Sequence, residues 1–210
     1  MLEKLRVPFK RLINPIARFL VRIGMTANSV TIIGALGTVL VAIITGLTGL
    51  LFGGALALTI LVLFDALDGS VAALTGGGTK FGAFLDSTLD RIADWAMLLS
   101  IIVYFLLHTN PTSMWSRVGL WAAAVALMTS FVTPYARARA ESVGYEAKLG
   151  IATRSDRILI ILGAMALAGI LSTNLRPRIL TCAMVLLAVL GVITVGQRIY
   201  TVYQQSFKND

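Results

Sequence analysis

Long apolar stretches separated by short clusters of glycine, proline and asparagine set the pattern of this chain. The apolar runs cover about 28–47, 50–74, 81–107, 118–141, 156–173 and 178–204. Each is close to the ~20 residues that carry a helix across ~30 Å of hydrocarbon. The breaks fall at Gly46–Gly49, Gly76–Gly78, Asn110-Pro111, Gly144–Gly150 and Asn174–Pro177, residues that end helices and favour turns. Thr26-Ala27-Asn28-Ser29 supplies helix-cap chemistry just before the first run. Ahead of it, residues 1–23 place Lys4, Arg6, Lys10, Arg11, Arg18 and Arg22 among Leu, Ile, Val and Phe, with apolar residues at helical spacing from about Pro15. That pattern predicts a helix lying in the membrane interface. The expectation is an all-α, polytopic membrane protein: an amphipathic interfacial helix and basic leader over 1–23, then one domain of six transmembrane helices over 24–210. There is no internal repeat and no linker.

Composition agrees. Charged residues make up 13% of the chain, against about 25% in a soluble domain. The N-terminus lacks a compact apolar core followed by a small-residue cleavage site, so a signal peptide is not expected. A formal net charge of +8 in so apolar a chain points to anionic headgroups and anionic substrates, and away from nucleic acid. Six spans with the N-terminus inside put fifteen of the eighteen lysines and arginines on one side; Arg117, Arg176 and Arg178 fall on the other. The positive-inside rule then predicts a multi-pass cell-membrane protein with both termini cytoplasmic. Trp115 and Trp121 sit near the expected outer boundary. The lone Cys182 excludes an intrachain disulfide, and the lone His108 at a helix end reads as a loop residue.

Against this apolar background the stretch Asp65–Asp90 stands out: DALDGSVAALTGGGTKFGAFLDSTLD. Asp65 and Asp68 are spaced i,i+3, and Asp86 and Asp90 i,i+4, so each pair is predicted on one face of its helix. Gly76-Gly77-Gly78 between them turns one helix back on the next. One Asp at a membrane helix centre costs ~2.5–3.5 kcal/mol, and four unpaired ones on the order of 10 kcal/mol. Cations and a watery pocket are the expected compensation. Carboxylate oxygens suit Mg²⁺ or Mn²⁺, and four of them are enough to hold two ions, the arrangement that clamps a phosphoryl group during in-line displacement. The charge balance predicts this site at the cytoplasmic side. Asp90 is also placed to take a proton from an attacking hydroxyl. Gly69, Ala72 and Gly82 leave room for a ligand close to the backbone.

A second cluster, Arg137, Arg139, Lys148, Arg154 and Arg157, lies at the expected inner ends of the fourth and fifth helices. Ordinary positive-inside anchoring explains many such clusters. Guanidinium groups also bind phosphate bidentately, and an acidic site on the same side favours a phosphate receptor. A metal-bound diphosphate beside a phosphorylated acceptor would suit a transferase.

The spacing Asp65-x2-Asp68-Gly69-x2-Ala72, then Gly82-x3-Asp86-x3-Asp90, resembles the D-x2-D-G-x2-A-R-x8-G-x3-D-x3-D motif of the CDP-alcohol phosphotransferases. One position departs, since Ala73 stands where the motif has Arg; nearby Lys80 is a candidate replacement. The segments Gly76–Gly82, Ala136–Glu141 and Arg154–Arg157 look like those of actinobacterial phosphatidylinositol-phosphate synthases. The resemblance implies CDP-diacylglycerol as donor, inositol phosphate as acceptor, CMP as leaving group and a homodimer among membrane lipids. It also implies that Asp65, Asp68, Asp86 and Asp90 hold two metal ions and that Asp90 is the general base. By the same resemblance Asn28, Ser29, Val30, Thr31, Gly69 and Thr79 line the CDP-diacylglycerol site. Arg137, Arg139, Arg154 and Arg157 bind the acceptor phosphate. The same reaction on glycerol phosphate is the near alternative; an intramembrane prenyltransferase and a cation transporter are remote ones.

Overall fold

The computed structural model describes residues 14–209; the leader residues Lys4, Arg6, Lys10 and Arg11 lie outside them. Among the described residues the chain is helical with no strand. The helices are α1 (14–22), α2 (Ala27–Thr48), α3 (Leu51–Asp65), α4 (Asp68–Leu74), α5 (Lys80–His108), α6 (Met114–Ser142), α7 (Arg154–Ile170) and α8 (Arg176–Asn209). Five stretches among the described residues are long and apolar enough to cross a membrane: α2, α3 with α4, α5, α6 and α8. The sixth expected span is α7, whose 17 residues make about 25 Å of helix at 1.5 Å per residue. It falls short of the full hydrocarbon thickness. Large apolar side chains such as Leu36, Leu40, Leu56 and Ile60 are exposed along α2 and α3, as a surface facing lipid requires.

The helices group into two compact units, each with its own packing. The first comprises residues 14–41 and 57–93. Its core joins Ala17 and Leu20 of α1 to Val30, Leu67 and Val71. Ile16, Phe19 and Ile23 remain exposed beside Arg18 and Arg22. An anchored inner edge with an exposed apolar and cationic remainder is what a helix in the headgroup layer presents. The turn from α4 to α5 uses Gly76 and Gly77 at φ 97° and 102°, the left-handed region that glycine enters without strain.

The second unit comprises residues 42–56 and 94–209. Here α8 packs along α6 and α7. The His108 ring lies 3.2 and 3.1 Å from the Gly46 and Leu47 carbonyls near the end of α2, positions where helix carbonyls lack intrahelical donors. Near its C-terminal end α8 holds the segment leading to α7. Gln205 accepts from the Glu146 N–H at 2.9 Å and donates to the Glu146 carbonyl at 2.6 Å. Cys182 is exposed on α8.

Candidate active site

In the first unit the apolar run 50–74 is not one uninterrupted helix. α3 ends at Asp65 and α4 begins at Asp68. Between them the Leu67 N–H bonds back three residues to Phe64 O at 2.9 Å, a tightened turn that Leu67 anchors by burying its side chain in the core. Asp65 and Asp68 therefore fall on either side of a turn and not within one helix. Asp65 meets Asp86 and Asp90, which follow one another by one turn of α5. One oxygen from each of the three lies within 4.8 Å of the others. Gly34 lies against Asp65: a Cβ there would sit 3.4 Å from Asp65 Oδ1, at ordinary contact distance.

Asp68 takes a different position. Its Oδ2 accepts the Thr31 hydroxyl at 2.9 Å, and its Oδ1 accepts the Gly69 N–H. Asp68 and Asp86 both line a cavity of about 590 Å³, with Thr26, Asn28, Thr31, Gly69, Thr75, Thr79 and Gly82. Thr79 caps α5, accepting the Gly82 N–H at 2.9 Å, which fixes the glycine turn at the cavity wall. A Cβ on Gly82 would come within 2.9 Å of Asn28 Oδ1. The cavity thus offers hydroxyls, an amide and bare backbone next to a carboxylate cluster.

Of the residues expected around a nucleotide-lipid donor, Asn28, Thr31, Gly69 and Thr79 line this cavity. Ser29 and Val30 do not. Ser29 bonds back to Thr26, its N–H lying 3.2 Å from Thr26 Oγ1, and Val30 is fully buried in the core. Ala73 and Lys80 are both exposed and neither lines the cavity.

Three carboxylates so close together repel one another. At 4.8 Å and an effective dielectric constant of ~20, each ionised pair costs about 3.5 kcal/mol. A hard divalent cation among them would reverse the sign of that energy, and an all-oxygen donor set is what Mg²⁺ and Mn²⁺ prefer. The residues present therefore fit such an ion, with Asp65, Asp86 and Asp90 as its ligands. Arg91, with its guanidinium 3.9 Å from Asp90 Oδ2, offsets part of that repulsion at Asp90.

The second unit gathers part of the arginine cluster. Arg154 and Arg157 lie in the first turn of α7, three residues apart. Thr153 and Asp156 start that helix with a capping box. Both arginines reach the carboxylate of Asp94, Arg154 Nε at 3.0 Å from Oδ1 and Arg157 at 3.3 Å from Oδ2. Arg137 and Arg139 diverge from each other, as their two-residue spacing on α6 requires, and each has a partner on its own helix. Arg137 pairs with Glu141 at 2.9 Å, and Arg139 donates to Ser142 at 3.3 Å. Arg139 also lines a groove of about 310 Å³ with Tyr135, Val195 and Val202. Lys148 pairs with Glu146 at 3.2 Å, both exposed.

Three residues escape sequence reasoning. Gly34 gives no signal until Asp65 is seen beside it. Arg198, which the charge count treats as a tail cation, braces the unit by donating to Leu149 O at 3.1 Å and to Thr133 O. It also lies within electrostatic reach of Arg137 and Arg157. Asp94 repeats the four-residue spacing of Asp86 and Asp90 along α5, and that repeat is the signal that could have found it.

The sequence model of the CDP-alcohol phosphatidyltransferase family matches residues 24–196. The phosphatidylinositol phosphate synthase of Mycobacterium marinum is 41% identical over 198 residues, 94% of this chain and 82% of the relative. The crystal structure of the Mycobacterium tuberculosis phosphatidylinositol phosphate synthase with CDP-DAG bound superposes with a TM-score of 0.84 at 39% identity. It covers 92% of this chain and 94% of the relative. A second crystal structure of that enzyme, in complex with manganese and citrate, also gives 0.84 at 39% identity, covering 91% of this chain and 88% of the other.

Proposed function

The chain belongs to the CDP-alcohol phosphatidyltransferase family, and from that premise we propose that it moves the phosphatidyl group of CDP-diacylglycerol onto a hydroxyl of inositol phosphate, releasing CMP. It is a membrane transferase; the substrates are the proposal. The convergence of Asp65, Asp86 and Asp90 beside a polar cavity carries the reading. The relatives support the substrates: one is crystallised with CDP-DAG, synthases of 35–41% identity are named for phosphatidylinositol phosphate, and one of 38% identity is named for archaetidylinositol phosphate.

In this reading Asn28, Thr31, Gly69 and Thr79 hold the donor in the cavity, with hydroxyl and amide groups for the cytidine and the glycine backbone close to the diphosphate. Asp65, Asp86 and Asp90 hold a divalent cation, with Asp68 supplying further negative charge from the cavity wall. When bound, such an ion supplies Lewis-acid charge against the negative diphosphate. Arg154 and Arg157 bind the acceptor phosphate, with Arg137 and Arg139 adding positive charge from α6. The acceptor hydroxyl forms a new bond to the phosphorus bearing the diacylglycerol, the bond from that phosphorus to the CMP oxygen breaks, and Asp90 takes the hydroxyl proton. Positioning accounts for much of the rate, because phosphoryl transfer asks little covalent chemistry of the protein. The excess of basic residues in the leader, the segment before α7 and the C-terminal end of α8 supports a cytoplasmic active site.

The test is CMP release by purified protein in liposomes with CDP-diacylglycerol and Mg²⁺, comparing inositol phosphate, glycerol phosphate and serine. Release with inositol phosphate, absent in Asp90→Asn, is the expected result. Release with glycerol phosphate alone would keep the reaction and overturn the acceptor.

A further inference from the structure

The acceptor reading leaves a question that α5 answers. Arginine side chains are long and lose much rotamer freedom when fixed, so two of them make a poor receptor unless something orders them first. Asp94 is 5% exposed, between buried Ala93 and the buried run Ala96-Met97-Leu98. An ionised carboxylate so placed is costly unless it is paired and hydrogen-bonded. Each of its oxygens takes a different arginine: Oδ1 meets Arg154 Nε at 3.0 Å and Oδ2 meets Arg157 at 3.3 Å. The side chain of Arg154 stays 30% accessible and that of Arg157 12%.

We propose that Asp94 is a positioning residue that orders Arg154 and Arg157 as the receptor for the phosphate of the acceptor. The inference rests on the reading that these two arginines bind that phosphate. Asp94 touches neither reactant in this role. It divides two guanidiniums between its two oxygens and ties the start of α7 to α5, so that the planar donor forks are oriented before the phosphate arrives. A buried carboxylate would be wasteful if its only task were to attach one helix to another, since an apolar contact of the same size does that without desolvating a charge.

The experiment measures steady-state kinetics of the full-length protein in liposomes, varying inositol phosphate and CDP-diacylglycerol in turn, with inorganic phosphate as a competitive probe. Asp94→Asn keeps the volume and removes the charge. It should raise the KM for inositol phosphate and the inhibition constant for inorganic phosphate together, by about 10-fold or more, with the KM for CDP-diacylglycerol within about twofold. Asp94→Glu, which keeps the charge on a stem one methylene longer, should fall between Asn and the parent. It carries the test by itself if the Asn variant does not purify as a single species. Equal losses toward both substrates, or a fall in kcat with both KM values unchanged, would make Asp94 merely structural and overturn the proposal. Arg154→Ala and Arg157→Ala separate the two levels. If neither raises the KM for inositol phosphate, the acceptor site itself is wrong; if both do and Asp94→Asn does not, only the positioning role falls.

Discussion

Asp86 is the carboxylate whose neutralisation exposes the energetics of the cluster most cleanly. It lies within 4.8 Å of both Asp65 and Asp90 by their nearest ligand atoms, and Arg91 is placed at Asp90. Asp86→Asn removes two like-charge contacts, each worth about 3.5 kcal/mol at an effective dielectric constant of ~20 and about half that at ~40. All three carboxylates are half-buried and Arg91 offsets part of the repulsion, so the net gain when no cation is present is on the order of 2–4 kcal/mol. For a chain of this size 1 kcal/mol corresponds to about 2–4 °C in a thermal midpoint, and we expect the variant to unfold at least 5 °C above the parent. The assay is thermal unfolding of detergent-solubilised protein in EDTA and across a Mn²⁺ titration. The parent should gain strongly from Mn²⁺ and the variant little, so that the gap closes as the ion is added. The same variant should lose transferase activity, which makes it a case of stability purchased at the expense of function. An Asp86→Asn protein no more stable than the parent in EDTA would refute the reasoning, because the repulsion inferred from the geometry would then be absent.

Other predictions follow from single contacts. Thr79→Ala removes the cap on α5 and should cost about 1 kcal/mol in unfolding free energy while raising the KM for CDP-diacylglycerol; Thr79→Ser should restore both. Val30→Ala should cost about 1–2 kcal/mol of stability and leave both KM values unchanged, as suits a fully buried core side chain; a selective rise in the donor KM would return Val30 to the binding site. Ala73→Arg restores the motif residue on an exposed position of α4, and we expect a lower KM for CDP-diacylglycerol, read from the same kinetics. Breaking the capping box with Asp156→Ala should destabilise the start of α7 by about 1–2 kcal/mol and raise the KM for inositol phosphate more than that for the donor.

Much of this molecule is legible in its apolar pattern, because a helix in lipid must satisfy its own backbone and so announces its length and ends. The runs at 28–47, 81–107 and 118–141 come within a few residues of α2, α5 and α6. The metal-type cluster is legible for the same reason: Asp65, Asp86 and Asp90 are anomalous in such a setting. The break in the helix between Asp65 and Asp68 is not. No glycine or proline marks the turn at Ala66-Leu67, which is held by the burial of Leu67 and the tight bond to Phe64 O, and burial is a property of the fold. The arginine cluster was legible as composition and illegible as geometry. Positions 137 and 139 diverge around α6 as helical spacing dictates, whereas the gathering of Arg154 and Arg157 depends on Asp94, sixty residues earlier in the chain for Arg154. Arg198 comes within electrostatic reach of Arg137 and Arg157 from α8, a proximity that only the packing of α8 on α6 and α7 creates.

The most direct measurement is the identity of the lipid made when purified protein in liposomes receives CDP-diacylglycerol, Mg²⁺ and inositol phosphate alone. Mass spectrometry of the lipid fraction, with CMP quantified in parallel, should find phosphatidylinositol phosphate and CMP in equal amounts, and neither product with Asp90→Asn. CMP accompanied by phosphatidic acid in place of phosphatidylinositol phosphate, or equal turnover in the Asp90 variant, would contradict the assignment of the carboxylate cluster and its cavity as the transferase site.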